Sequence, residues 1–206
     1  MRMSLALALG TALALWAPVA HAEAVINGFR SARFGMSEAD VRAAIGTDFP
    51  GSAMAITAQD AQDNAPRLLS VPLIRLNPGP VPAVIAYGFR DGRLAQIDVT
   101  WAAPGEPSAA QRAGLLRAGE RLRRHFEGQA DKPARIVPAG VLGPNSLLLH
   151  GAADRLGARV EALVEGISFE RMVDGKPVMS PEPTGPAVLR VSYRAGSQQA
   201  NKQAAK

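Results

Sequence analysis

AVIAYGFRDGRLAQIDVTW, residues 83–101, decides the fold. Two runs rich in apolar residues, Ala83 to Arg90 and Arg93 to Trp101, flank Asp91-Gly92. That dipeptide supplies the two positive φ angles of a type I′ turn, whose twist matches paired antiparallel strands. Regular pairing from such a turn sets Phe89 opposite Leu94, Tyr87 opposite Gln96 and Ile85 opposite Asp98 on one side. Val84, Ala86, Ile97, Val99 and Trp101 then share the other side, which is wholly apolar and calls for a helix over it. The side carrying Tyr87, Phe89, Leu94 and Gln96 is mixed and expected to be half exposed. Its aromatic and polar character suits the core and rim of a binding interface. Cover by a proline-rich loop or the tail fits the same residues equally well.

Two helices are predicted on either side of this hairpin. Ser37-Glu38-Ala39-Asp40 places a hydroxyl at the N-cap and a carboxylate at N3, which serves the orphan amides and the helix dipole. Met36, Val41 and Ile45 lie near one side, and Gly46 is placed to end this short helix. The longer helix runs from Ser108 to Glu127. Pro104 and Pro107 precede it, Leu115, Ala118, Leu122 and Phe126 follow helical spacing, and Gly128 stops it. Gly114 and Gly119 each weaken that helix by about 1 kcal/mol relative to Ala, so packing has to compensate.

Strands are expected at Ala53 to Ala58 and Leu68 to Leu76, where Pro72 marks an edge or a bulge. A second set is expected at Ala134 to Val137, Ser146 to His150, Ala158 to Val164 and Ala187 to Tyr193, while Ile167 to Val173 fits strand or helix. Asp174-Gly175 marks a turn, and Pro177, Pro181, Pro183 and Pro186 an extended loop. The expected class is therefore α+β, with two main helices packed on antiparallel β-sheet. The order helix, four strands, helix, four strands allows a tandem repeat, with a half boundary near residues 103–107.

The termini read differently. Arg2, an apolar run from Ser4 to Ala17, Pro18 and Ala20-His21-Ala22 form a secretory signal over residues 1–22, with cleavage expected before Glu23. Fourteen helical residues reach only about 21 Å, against roughly 30 Å of hydrocarbon, so a membrane anchor fits less well. Residues 23–194 read as one domain, and 195–206 as a polar, disordered tail. The expected location is the periplasm or outside the cell, with no membrane span after cleavage.

Cysteine is absent, which excludes disulfides, thiol catalysis and lipoprotein anchoring. Processing removes Arg2 and no acid, lowering the formal net charge of +5 by one. That excess gives no support to a nucleic-acid partner. Only His125 and His150 outlast cleavage. His125 reads as a surface histidine late in the long helix. His150 ends a strand with Asp154 four residues on, a pair able to orient a base, but no nucleophile is placed beside it. Glu161, Glu165 and Glu170 leave a carboxylate pair open, although charges alternating along strands usually form a solvated face. No metal or cofactor motif is present. On the long helix Arg117, Arg121 and Arg124 share one face, flanked by Arg112 and Arg123, and Glu120 can pair with Arg124. That stripe reads as an ordinary wet face or as a docking strip for anionic lipid headgroups or an acidic partner.

The segment Phe34-Gly35-Met36-Ser37-Glu38-Ala39-Asp40-Val41, closing at Ile45-Gly46, resembles a signature of small bacterial envelope proteins. It is similar to the outer-membrane assembly lipoproteins of the SmpA/OmlA (BamE) type and to the tandem-repeat β-lactamase inhibitor proteins. The resemblance implies helices packed on an antiparallel sheet and a role in envelope interactions. The chain lacks the lipobox Cys of the former and the Cys pairs of the latter.

Three functions follow as expectations. The first is a non-enzymatic exported protein that binds an envelope partner, with Tyr87, Phe89, Leu94, Gln96 and the Arg117, Arg121, Arg124 stripe as candidate binding residues. The second is an inhibitor of a secreted hydrolase, inserting the Arg90 to Arg93 turn. The third is a small-ligand-binding protein or a hydrolase using His150 and carboxylates between the halves.

Overall fold

The computed structural model describes residues 25–60, 66–129, 131 and 133–197. The predicted signal sequence and the predicted tail beyond Ser197 lie outside them. In chain order the elements are β1 (Gly28–Phe29), β2 (Ala32–Arg33), α1 (Glu38–Asp48), a 3-10 turn (Ala53–Ala55), β3 (Thr57–Gln59), β4 (Arg67–Leu73), β5 (Ala83–Arg90) and β6 (Arg93–Ala102). Then follow α2 (Ala109–Glu127), β7 (Arg135–Val137), β8 (Gly140–Gly143), β9 (Ser146–Ala153), β10 (Arg159–Glu165), β11 (Glu170–Val173), β12 (Lys176–Met179) and β13 (Val188–Arg194).

Both helices start as their sequences require. Ser37 and Ser108 each accept the N3 amide, and the side chains of Asp40 and Gln111 return the bond to the cap amide. The shorter helix passes through Gly46 and ends at Asp48, with Phe49 as its C-cap. The longer one stops at Gly128 as expected.

One antiparallel sheet of nine strands dominates, in the order β3-β4-β5-β6-β13-β10-β9-β7, with β8 also on the outer side of β9. The expected α+β class, helices covering a sheet, is corrected by this count: strands make up 42% of the structure and helix 20%. Nor does the helix-plus-four-strand order hold, because seven strands follow α2 and two precede α1 among the described residues. Short strands that the sequence conceals make the difference. β8 is hidden by its glycines and β12 by Pro177, because the ladder supplies order that local propensity does not. Pro72 sits where β3 has already ended, so its missing amide leaves no gap in the ladder.

The hairpin closes at Asp91 (φ 51°) and Gly92 (φ 69°), the expected turn. Its register then slips. Phe89 faces Leu94, but Gly88 faces Gln96, so Ala95 is an extra residue and Tyr87 pairs with Ile97 rather than Gln96. Because side chains alternate with period two, this bulge moves Tyr87 and Ile85 to the same side as Ile97, Val99 and Trp101. Continuous rows result. Val71, Ile85, Val99, Val191, Ala162 and His150 face one another across six strands, and all are buried. The reverse face is polar: Asp98 there accepts from Ser192 Oγ at 2.6 Å and Arg194 Nη1 at 2.9 Å.

The long helix lies on the core side, against β9, β10 and β13. A Cβ on Gly119 would stand 2.3 Å from Leu149 Cδ1, so the glycine that weakens the helix lets it approach the sheet closely. No helix among the described residues is long and apolar enough to cross a membrane.

Candidate functional site: a cleft beside the long helix

The second half of α2 overhangs the sheet without filling the space beneath it. Leu115 and Ala118 are fully buried, whereas Leu122 and Phe126 are only partly covered. The resulting cleft holds about 560 Å³. Its floor is Val160 and Tyr193, and one wall is Arg121, Leu122, His125 and Phe126. The segment Val25 to Arg30 and the Asn77-Pro78 turn close the other sides. A smaller space of about 280 Å³ adjoins it, sharing Ile26, Phe126, Gln129 and Val160, and reaches His150, Glu127 and Ile136.

Each wall has an identifiable support. Asp154, itself buried, accepts the amide of Ile26 at 3.1 Å and those of Leu156 and Ala158 at 2.9 Å. It thereby fastens the 25–30 segment to the sheet. The Asn77-Pro78 turn is held twice: Trp101 Nε1 donates to Leu76 O at 2.7 Å, and Arg121 Nη2 donates to Pro78 O at 2.8 Å. The Arg30 guanidinium carbon lies over the rings of Phe29 and Phe49, at 5.8 and 5.0 Å from their centroids. Phe29 in turn meets the Tyr193 ring at 5.7 Å. Burial pushes the Tyr193 phenol up to about 12, so it stays protonated and can donate.

The electrostatics are one-sided. Arg30, Arg121 and His125 line the larger cleft, and among the described residues lining it none is acidic. His150 lies flat under Phe126, with centroids 4.8 Å apart and planes 18° from parallel. Burial lowers its pKa below the ordinary histidine range, and the nearby Glu127 carboxylate opposes that shift. Burial thus disfavours the imidazolium, and the ring packs flat against Phe126.

The candidates read from sequence scatter. Tyr87, Phe89 and Leu94 are core residues, from 0% to 4% exposed, so the mixed hairpin patch does not exist as a surface. Gln96 is on the opposite face, donating to Asp98. The bulge at Ala95 explains all four. His150 and Asp154 form no dyad, because the carboxylate is occupied by three backbone amides. Glu161 and Glu170 are exposed, and no group of three or more potential metal-ligating residues occurs among the described residues. Arg117, Arg121 and Arg124 are all exposed on α2, as the spacing requires. Their flanks differ from expectation: Glu120 pairs with Arg123, not Arg124, and Arg112 is buried, donating to Gly166 O at 2.6 Å and Gly185 O at 2.8 Å. The Arg90 to Arg93 turn is fully exposed.

Sequence reading gave Arg30 and the Asn77-Pro78 turn no role, and offered Ile26 as a packing anchor with no part in a site. They are brought to α2 by tertiary contacts from separate segments, and no local motif marks them. Searches among protein-family models, curated proteins and solved structures gave no match to this chain, so the site is interpreted from its own residues.

Proposed function

We propose that the protein is an exported, non-enzymatic binding protein, and that its ligand seat is the cleft beside α2. One observation carries the reading: an apolar-floored space of about 560 Å³ whose three walls come from separate segments, each tied to the core. Its size falls within the roughly 300–1,000 Å³ typical of small-molecule sites, which are mostly apolar with a few placed polar groups. The occupied carboxylate of Asp154 and the stacked His150 support binding over hydrolysis. The exposed arginines of α2 fit this role too, since Arg121 belongs to both the stripe and the cleft rim.

The test is titration of the mature chain with N-phenyl-1-naphthylamine, a neutral probe whose emission rises in apolar surroundings. Saturable one-to-one binding is expected. Val160→Phe, which puts a ring into the floor, should abolish it while the circular dichroism spectrum stays unchanged. Absence of saturable binding by the native chain, or full binding by a folded Val160→Phe variant, would refute the reading.

A further inference from the structure

We infer that the ligand is a single-chain amphiphile with an anionic head, a carboxylate or a phosphate ester. This rests on the cleft being the ligand seat. The cleft divides by chemistry along its length. At one end the rim holds the guanidinium groups of Arg30 and Arg121, with His125 beside them and no acid among the described lining residues. At the other, Phe126 and Val160 lead into the second space, where Ile136, Val137 and Leu149 make a mainly apolar lining, and its acid, Glu127, stands away from the Arg30 end, outside the lining of the larger cleft. A rim whose described lining carries two guanidinium groups and no acid favours an anion, because its field is positive at that end of the cleft. A floor of Val160, Tyr193 and Phe126 gains from an apolar body in proportion to the area it removes from water.

The geometry also places the head. Arg30 is held over two rings, its Cζ 5.8 Å from the Phe29 centroid and 5.0 Å from that of Phe49, and its guanidinium carries a fork of N–H donors that suits a carboxylate or a phosphate. Arg121 spends one nitrogen on Pro78 O, which fixes its side chain across the rim. The negative end of the helix dipole is felt only within the last turn. Arg121 precedes that turn, so the head belongs between Arg30 and Arg121 rather than at the helix tip near Gly128. The chain then runs along Phe126, which covers the His150 ring, toward Ile136 and Val137 in the second space.

The experiment is displacement of bound N-phenyl-1-naphthylamine by laurate, dodecyl phosphate, 1-dodecanol, acetate and inorganic phosphate. Laurate or dodecyl phosphate should displace the probe at concentrations at least about tenfold below dodecanol, the worth of one charge-assisted contact. Whichever of the two is stronger names the head. Acetate and inorganic phosphate should not compete in the same range. The double variant Arg30→Gln/Arg121→Gln should lose that advantage, together with its salt dependence, read as the ratio of laurate to dodecanol displacement, in which any change in affinity for the neutral probe from the lost Arg121–Pro78 bond cancels. Equal displacement by dodecanol, displacement by the small anions alone, or an unchanged laurate affinity in the double variant would each overturn the inference while leaving the cleft reading intact. Failure of the native chain to bind the neutral probe would instead remove the cleft itself.

Discussion

Gly79→Ala is the sharpest probe of how the cleft is built. A Cβ there would lie 2.0 Å from Trp101 Cδ1, 2.4 Å from Nε1 and 2.5 Å from Cγ. The ring cannot step aside, since Trp101 is 2% exposed and lies in a core row between Ala83 and Leu189. The loop must therefore rise, and the bond from Trp101 Nε1 to Leu76 O stretches with it. Overpacking costs about 1–3 kcal/mol. A weakened buried indole hydrogen bond costs up to about 1–3 kcal/mol more. With partial relaxation the sum is about 2–4 kcal/mol, a fall in melting temperature of roughly 5–15 °C for a domain of this size. The assay is urea and thermal unfolding followed by tryptophan emission. Trp16 belongs to the predicted leader, so in the mature chain Trp101 reports alone. Displacement of the Pro78 carbonyl from Arg121 should also weaken binding of the neutral probe. The control is Gly46→Ala, whose Cβ meets nothing within 4 Å inside α1, and which should add about 0.5–1 kcal/mol. A Gly79→Ala variant with native stability and native emission would refute the packing argument.

Two further outcomes are expected. Arg112→Ala should destabilise by about 2–4 kcal/mol in urea unfolding, because it strips donors from the carbonyls of Gly166 and Gly185 and removes the cation paired with Glu106, which keeps only the Gly185 amide; Arg117→Ala, on the exposed face, should change stability by less than about 0.5 kcal/mol. Glu38 is held down to about 2 by hydrogen bonds from Arg67 and then Arg42. Its folded-state pKa is depressed, so its contribution is complete above the unfolded value near 4.5 and is lost as pH falls toward 2. Solvent screening of this partly exposed cluster limits that contribution to about 1 kcal/mol. Glu38→Gln should flatten the acid limb of the stability profile by that amount, and an unaltered limb would show the pairing to be inert.

Local chemistry was legible where it was self-contained. Ser37 with Asp40 and Ser108 with Gln111 announce two helix starts, because a cap needs nothing beyond its own turn. Asp91-Gly92 announces a hairpin and Asp174-Gly175 a turn, because positive φ at both positions is itself the turn; that the second also joins two strands was not legible, since Pro177 reads as loop. The stripe Leu115, Ala118, Leu122, Phe126 identified the face of α2 that meets the sheet. Which residues that hairpin buries was a different matter. The extra residue Ala95 reverses the alternation for everything beyond it, and so turned Tyr87 from a surface candidate into a core residue. A bulge is stabilised by the strands on either side, here by the match of Ile97 and Val99 to Tyr193 and Val191, so its position is not written in the hairpin.

By itself the amino-acid order determined the caps, the turns, the apolar stripe of the long helix and the exclusion of thiol chemistry. Each depends on residues a few places apart and on energies that local contacts supply. The register of the sheet, the single nine-stranded ladder and the cleft were decided only by tertiary structure. Arg30, Pro78, Arg121 and Val160 share no sequence neighbourhood; they meet because Asp154 anchors one wall, Trp101 another, and Gly119 lets the helix down onto the sheet.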